Sequence, residues 1–189
     1  MTVGCIVMLG SEDRSLLREL NRGSREALRR IYRKYRCDLF TIAVSLLGDR
    51  DLAEDCLQDA FVRLAESAGR IRIAGNLKAY LASCVVNRAR DQRRRERTRV
   101  GFPVEQLGGS IAAPSPAQRL IDDEQAAALL NAIGQLPSEQ REVFVLHAQA
   151  GLAFRKIAAL QKVSVRTVHS RHRYAVQKLR RLLRKGKQR

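Results

Sequence analysis

GLAFRKIAALQKVSVRTVHSRHRYAVQKLRRLL, residues 151–183, carries two helical apolar patterns separated by a short turn, the sequence form of a helix-turn-helix. Phe154, Ile157, Ala158 and Leu160 make the apolar face of the first helix, and Val163 fills the turn. Ser164 is placed to cap the second helix by accepting from its free backbone N–H groups. Val168, Ala175, Val176, Leu179, Leu182 and Leu183 hold that helix against a core, which leaves Arg166, Thr167, His169, Ser170, Arg173 and Tyr174 outward near its start. Such a helix enters the major groove with its N-terminal residues nearest the base edges, where Arg bonds guanine and Ser or Thr bonds several bases. Residues 164–189 contain ten Lys or Arg and no acidic residue, so the competing reading, a merely solvated basic helix, is the weaker one.

The composition supports this reading. The 189 residues are 45% hydrophobic but only 5% aromatic, with no Trp and few Gly or Pro, which fits an all-α chain rather than a sandwich or barrel. Thirty-six Lys and Arg against 19 Asp and Glu give a net charge of +17, and the pI is about 10.9. Nucleic acid is the default partner at that charge, while a membrane-surface or purely electrostatic role has to be judged from how the charge is distributed. Cys5, Cys37, Cys56 and Cys84 lie far apart with no paired spacing, which suggests neither a zinc site nor a disulfide framework; no metal and no cofactor are expected. Cys37, Cys56 and Cys84 fall within helical apolar patterns, where Cys serves as a small hydrophobe. The opening MTVGCIVMLG has no basic start, its apolar run is too short for a signal peptide or span, and no later run reaches about 18 apolar residues. A cytoplasmic protein without membrane insertion is the expectation.

Four helices are read in the first half. The first, Ser11–Asn21, ends at Gly23; Ser24 then caps a long helix whose apolar positions Ala27, Leu28, Ile31, Tyr32, Tyr35, Leu39, Ile42, Ala43 and Leu46 persist until Gly48 and Asp49. A third runs from about 51 to 65, burying Leu52, Ala53, Leu57, Ala60, Phe61 and Leu64. A fourth starts near Gly75 and Asn76 and continues into an arginine run. Residues 98–118 hold three prolines and three glycines and read as a flexible linker, after which helices resume at about Arg119, punctuated by Gly134, Pro137 and Gly151. The expected organisation is two small helical domains, 1–97 and 119–189, the second a helix-turn-helix. A tether of about 20 residues spans at most roughly 65–70 Å. That exceeds the ~34 Å of one DNA turn, so the two domains can occupy separate sites on one duplex.

Two further segments carry chemistry. LKAYLASCVVNRARDQRRRERTR begins apolar and ends in seven arginines between Arg88 and Arg99, and places Asn87 and Asp91 one turn apart on a single face. Asn and Asp read base edges while arginine a turn further on holds phosphates, although a generic charged face fits the pattern equally. Within GDRDLAEDCLQDAF, Asp49, Asp51, Glu54, Asp55 and Asp59 form an acidic patch that DNA would repel. With Gln58 it lies away from the apolar stripe and offers acceptors to a basic protein partner. Paired carboxylates also suit metal binding or acid–base catalysis, but no nucleophile, His or Gly-rich phosphate loop accompanies them, so no enzyme and no catalytic residue are expected. First-turn acids that merely complement the helix dipole remain the serious alternative.

These segments, in this order, resemble the extracytoplasmic-function group of bacterial RNA polymerase sigma factors over about residues 16–183. DLAEDCLQDAFVRL is similar to the region 2 helix that grips the polymerase clamp, KAYLASCVVNRARDQRRR to the helix that reads the −10 element, and LPSEQREVFVLHAQAGLAFRKIA with VSVRTVHSR to region 4, which recognises the −35 element. The resemblance implies that Asp51, Glu54, Asp55, Gln58 and Asp59 bind polymerase. It implies that Asn87, Arg88, Arg90, Asp91 and Arg94 bind the −10 element, and that residues 68–75 form the loop that captures an unstacked base. Arg166, Thr167, His169, Ser170, Arg171, Arg173 and Tyr174 align with the −35 reading helix. The implied partners are core RNA polymerase and promoter DNA, with an anti-sigma factor as a further partner the family allows; the implied function is promoter selection and assistance in melting.

The chain departs from the family pattern at several points. Arg155 and Lys156 stand where acidic residues are usual, Gln161 and Lys162 where a Leu-Gly pair is common, His172 in place of a bulky aliphatic residue, Tyr80 in place of Trp, and Val86 in place of a frequent Arg. A conventional helix-turn-helix regulator is the alternative, but it needs neither the acidic helix nor the arginine helix beside it.

Overall fold

The computed structural model describes residues 10–73, 76–100 and 124–186, and every regular element among them is an α-helix. Helices α1 (Ser11–Asn21), α2 (Arg25–Leu47), α3 (Arg50–Glu66) and α4 (Leu77–Val100) form one group, and α5 (Glu124–Gly134), α6 (Ser138–Ala148), α7 (Phe154–Gln161) and α8 (Val165–Gly186) a second.

The boundaries follow from short-range chemistry. Ser24 accepts from the Ala27 N–H at 3.2 Å and Asp49 from the Leu52 N–H at 2.9 Å, each satisfying a donor that the first turn leaves open. Between them Gly48 ends α2 at φ +74, a left-handed conformation that costs a side-chain-bearing residue more than glycine, and its N–H returns to the Val44 carbonyl at 2.8 Å. Asp49 thus caps α3 while its side chain stays exposed. Helix α4 starts where Asn76 accepts from the Ala79 N–H at 3.3 Å.

Leu16, Ile31, Leu39, Ile42, Leu57, Leu64, Leu81 and Val85 fill the core of the first group; Ile133, Leu136, Val143, Leu146, Ile157 and Val168 fill that of the second. Each fully buried aliphatic side chain stabilises by about 1.5–3 kcal/mol relative to exposure. One polar tie is deep: Asp13, 7% exposed, accepts from the Tyr35 hydroxyl at 2.7 Å and from Lys34 Nζ at 2.8 Å, fixing α1 on α2, and burial pushes the Tyr35 phenol up to about 12.

Three expectations need correcting. Tyr32 is 36% exposed and lies edge-on to Phe61 at 4.9 Å, because a 23-residue helix with a nearly continuous apolar pattern presents more apolar positions than its neighbours cover. Cys37 is exposed, so it does not pack as a small hydrophobe, whereas Cys56 is buried and Cys84 half-buried. Helix α4 runs on to Val100 instead of stopping before Thr98, since arginine is a good helix former and nothing breaks the pattern before Gly101. Cys5 and residues 101–118 of the expected linker lie outside the described residues.

The two groups touch. Helices α5 and α6 lie against α2. Arg141 of α6, 6% exposed, donates to the Leu46 carbonyl of α2 at 3.1 Å, to the Leu136 carbonyl at 3.1 Å and to the Gly134 carbonyl. These bonds offset much of the cost of burying a guanidinium, whose pKa desolvation and the charge of nearby Arg93 pull down to about 10. Gln149 adds a bond from its Nε2 to Ser45 Oγ at 3.3 Å.

Candidate nucleic-acid interface

Helices α7 and α8 meet at a turn whose geometry depends on two residues. Lys162 sits at φ +55, the left-handed position that glycine fills at no steric cost, so the departure from Leu-Gly noted in the sequence leaves a strained non-glycine residue there. Ser164 then accepts from the Thr167 N–H at 3.0 Å and shares a 2.9 Å hydroxyl contact with Thr167 Oγ1. Val168, Ala175 and Leu179 are buried, as their spacing predicts, and Arg166, His169, Arg173 and Tyr174 are exposed; Thr167, Ser170 and Arg171 are half-buried. Tyr174 is 50% exposed and lies under the Arg173 guanidinium at 5.2 Å from the ring centroid, which pre-orders that arginine outward. Arg171 points elsewhere: its NH1 donates to Gln161 Oε1 at 2.7 Å.

Beneath this face the chain's three histidines gather around Phe154. His147 stacks on it at 4.2 Å, His169 tilts against it at 4.4 Å and His172 at 5.2 Å, with Phe144 completing the cluster. His147 Nδ1 donates to the Leu152 carbonyl at 2.9 Å, which fixes its tautomer. His172 is half-buried against Phe154 and Phe144, and among the described residues no group of three or more His, Cys, Asp or Glu is placed to hold a metal. Desolvation, with the nearby charges of His147 and His169, holds the His172 pKa below its ordinary 6.5. The native state therefore takes up that proton less readily than the unfolded chain. Its stability is unaffected by this group at neutral pH and falls as pH drops below about 6.5. The melting temperature at pH 5.5 is expected to lie below that at pH 7.5, and His172→Leu to remove part of the difference; an unchanged pH dependence in that variant would remove His172 from the explanation.

Helix α4 sets out the second set of candidates. Asn87 is exposed and Asp91 half-buried one turn later, on the shared face that the spacing predicts. Arg94 is exposed and pairs with Asp91 at 3.6 Å. Val86 is fully buried, so the family's usual Arg at that position has no outward counterpart here. Arg88 and Arg90 are both engaged: Arg88 Nε pairs with Asp59 of α3, and Arg90 with Glu142 of α6. Asp59 is accordingly drawn toward α4, while Asp51, Glu54, Asp55 and Gln58 remain exposed on the outer face of α3 above buried Ala53, Cys56, Leu57 and Ala60.

Sequence reasoning missed Asn21. Its Nδ2 donates to the Ile71 carbonyl at 3.0 Å and its Oδ1 accepts from the Gly69 N–H at 3.1 Å, which fastens the loop before α4 to the end of α1. No sequence pattern joins positions so far apart. Residues 74 and 75 of that loop lie outside the described residues, and no helix among the described residues is long and apolar enough to cross a membrane.

Known proteins share both the sequence pattern and the fold. The family model described as Sigma-70 region 2 matches residues 31–99, and that described as Sigma-70, region 4 matches residues 126–179. The chain is 31% identical over 150 residues to the ECF RNA polymerase sigma factor EcfG of Rhodopseudomonas palustris, covering 77% of this chain and 78% of that protein. It is 30% identical over 171 residues to the ECF RNA polymerase sigma factor SigM of Mycobacterium tuberculosis, covering 90% and 84% respectively. Among solved structures, the sigma factor RpoE in complex with the anti-sigma factor NepR from Bartonella quintana superimposes with a TM-score of 0.67 at 26% identity, covering 82% of this chain and 96% of that one.

Proposed function

The chain belongs to the extracytoplasmic-function group of the sigma-70 family, and from that premise we propose that it docks on core RNA polymerase through α3 and reads promoter DNA through α4 and α8. As a sigma factor it directs the polymerase to promoters, and sigma factors are non-enzymatic DNA-binding initiation factors. Bond-making chemistry is left to the polymerase in the cytoplasm. The N-terminal group through the end of α4 at Val100 serves as the polymerase-binding and −10 module, the segment between α4 and α5 as the tether, and the C-terminal group as the −35 module.

The observation that carries this reading is the segregation of charge in a +17 chain: α3 keeps Asp51, Glu54, Asp55 and Gln58 exposed while α8 exposes Arg166, His169, Arg173 and Tyr174. An acceptor-rich helix repels a polyanion and suits a basic protein, whereas the exposed face of α8 suits the major groove. On α4, Asn87 and Asp91 face bases and Arg94 a phosphate, with Arg88 and Arg90 available once their carboxylate partners are exchanged for phosphates. The test is transcription in vitro with purified core polymerase on a genomic library, with start sites mapped. A shared pair of elements upstream of the new starts is expected; no transcript, or starts identical to those of core enzyme alone, would refute the reading.

A further inference from the structure

Arg90 of α4 and Arg171 of α8, both half-buried, are joined by an unbroken polar chain. Arg90 of α4 grips the Glu142 carboxylate of α6 with both Nε, at 2.8 Å to Oε2, and NH2, to Oε1, while its NH1 donates to the Leu160 carbonyl of α7 at 2.9 Å. Glu142 Oε1 also accepts from Gln161 Nε2 at 3.0 Å, and Gln161 Oε1 accepts from Arg171 NH1 of α8 at 2.7 Å. One carboxylate, only 12% exposed, thereby holds Arg90 directly and Arg171 through Gln161, linking arginines of two modules that have to act on separate stretches of DNA. Bidentate guanidinium–carboxylate pairs are among the stronger and more directional polar contacts, and this one is partly buried. Arg141, the neighbour of Glu142 in sequence, reaches the Leu46 carbonyl at 3.1 Å, so consecutive residues of α6 clasp α2 and α4.

We propose that Glu142 and Gln161 form a latch that closes the C-terminal module over α4 and withholds Arg90 and Arg171 from promoter DNA until the two modules are drawn apart. The proposal rests on the assignment of α4 and α8 as reading helices. Closure blocks DNA in two ways. The end of α7 lies over the Arg90 side of α4, where a duplex would have to approach. A phosphate that took Arg90 would also leave Glu142 as an uncompensated carboxylate beside a polyanion, so Arg90 is released only when α6 moves away. A leucine at position 161 could neither donate to Glu142 nor accept from Arg171, so the relay depends on this glutamine.

The test uses the full chain with Glu142→Gln, which keeps the side-chain volume, and Gln161→Leu, which leaves net charge unchanged. Small-angle X-ray scattering is expected to show a larger radius of gyration for Glu142→Gln than for the wild type. Affinity of the free chain for a duplex carrying both promoter elements is expected to rise about five- to tenfold in Glu142→Gln and about twofold in Gln161→Leu, the apparent affinity being scaled by the open fraction. In holoenzyme, where the modules are already apart, both variants are expected to transcribe at the wild-type level. An unchanged radius overturns the latch. A gain in Glu142→Gln alone overturns the relay through Gln161, since removal of a negative charge would then explain it. Unchanged duplex affinity in both variants overturns occlusion. In that event Arg90→Ala and Arg171→Ala, assayed in holoenzyme, separate the two failures: lost promoter activity leaves the reading assignment standing without the latch, and retained activity sinks that assignment as well.

Discussion

Arg173→Ala is expected to lower transcription from a promoter that requires its −35 element by about ten- to a hundredfold, the loss of one good base contact worth about 1–3 kcal/mol. Arg173 is exposed on the outer face of α8, within the first turns that enter a groove, and the Tyr174 ring 5.2 Å away restricts its motion, so less entropy is lost when it binds. Ser170→Ala on the same stretch removes a neutral donor and should cost less. Arg173→Lys separates two contributions: it retains a charge for phosphate but lacks the planar fork that reads guanine. Partial recovery of overall binding with relaxed promoter choice is expected of the lysine variant, measured as transcript distribution across promoters. Unaltered promoter choice in both Arg173→Ala and Ser170→Ala would refute α8 as the reading helix.

Asp55→Arg combined with Gln58→Arg is expected to weaken binding to core polymerase by on the order of 2 kcal/mol or more, about thirtyfold, because two like charges then face a basic partner. Both positions are exposed on α3, so the fold should lose no more than about 0.5 kcal/mol. Asp59→Arg is the poorer probe: it also breaks the pair with Arg88 that joins α3 to α4, so a loss of binding would be mixed with a loss of stability. Competition binding to labelled core enzyme, with thermal melting of each variant alongside, measures both quantities. Full affinity in the doubly substituted chain would rule out α3 as the docking surface.

Local chemistry was legible from the order of residues alone. Ser24 and Ser164 cap helices through side chains three positions from the donors they satisfy, and Gly48 ends one because no other residue takes its φ as cheaply, so each reading needs only a few adjacent residues. The helix-turn-helix, the exposure of Arg166, His169, Arg173 and Tyr174 on α8 and the acidic face of α3 follow equally from spacing near 3.6 residues per turn, whereas Thr167 and Ser170, read as outward, are half-buried. Tertiary structure alone decided what covers what. Arg88, Arg90, Arg94 and Arg171 look alike in sequence, yet the first three pair with Asp59, Glu142 and Asp91, and the last with Gln161. Tyr32 and Cys37 occupy pattern positions that no neighbour happens to bury, and Asn21 finds its partners some fifty residues away. Helical periodicity fixes the direction in which a side chain leaves its own backbone, whereas its partner is set by how separate helices pack, and that depends on contacts between residues distant in the chain.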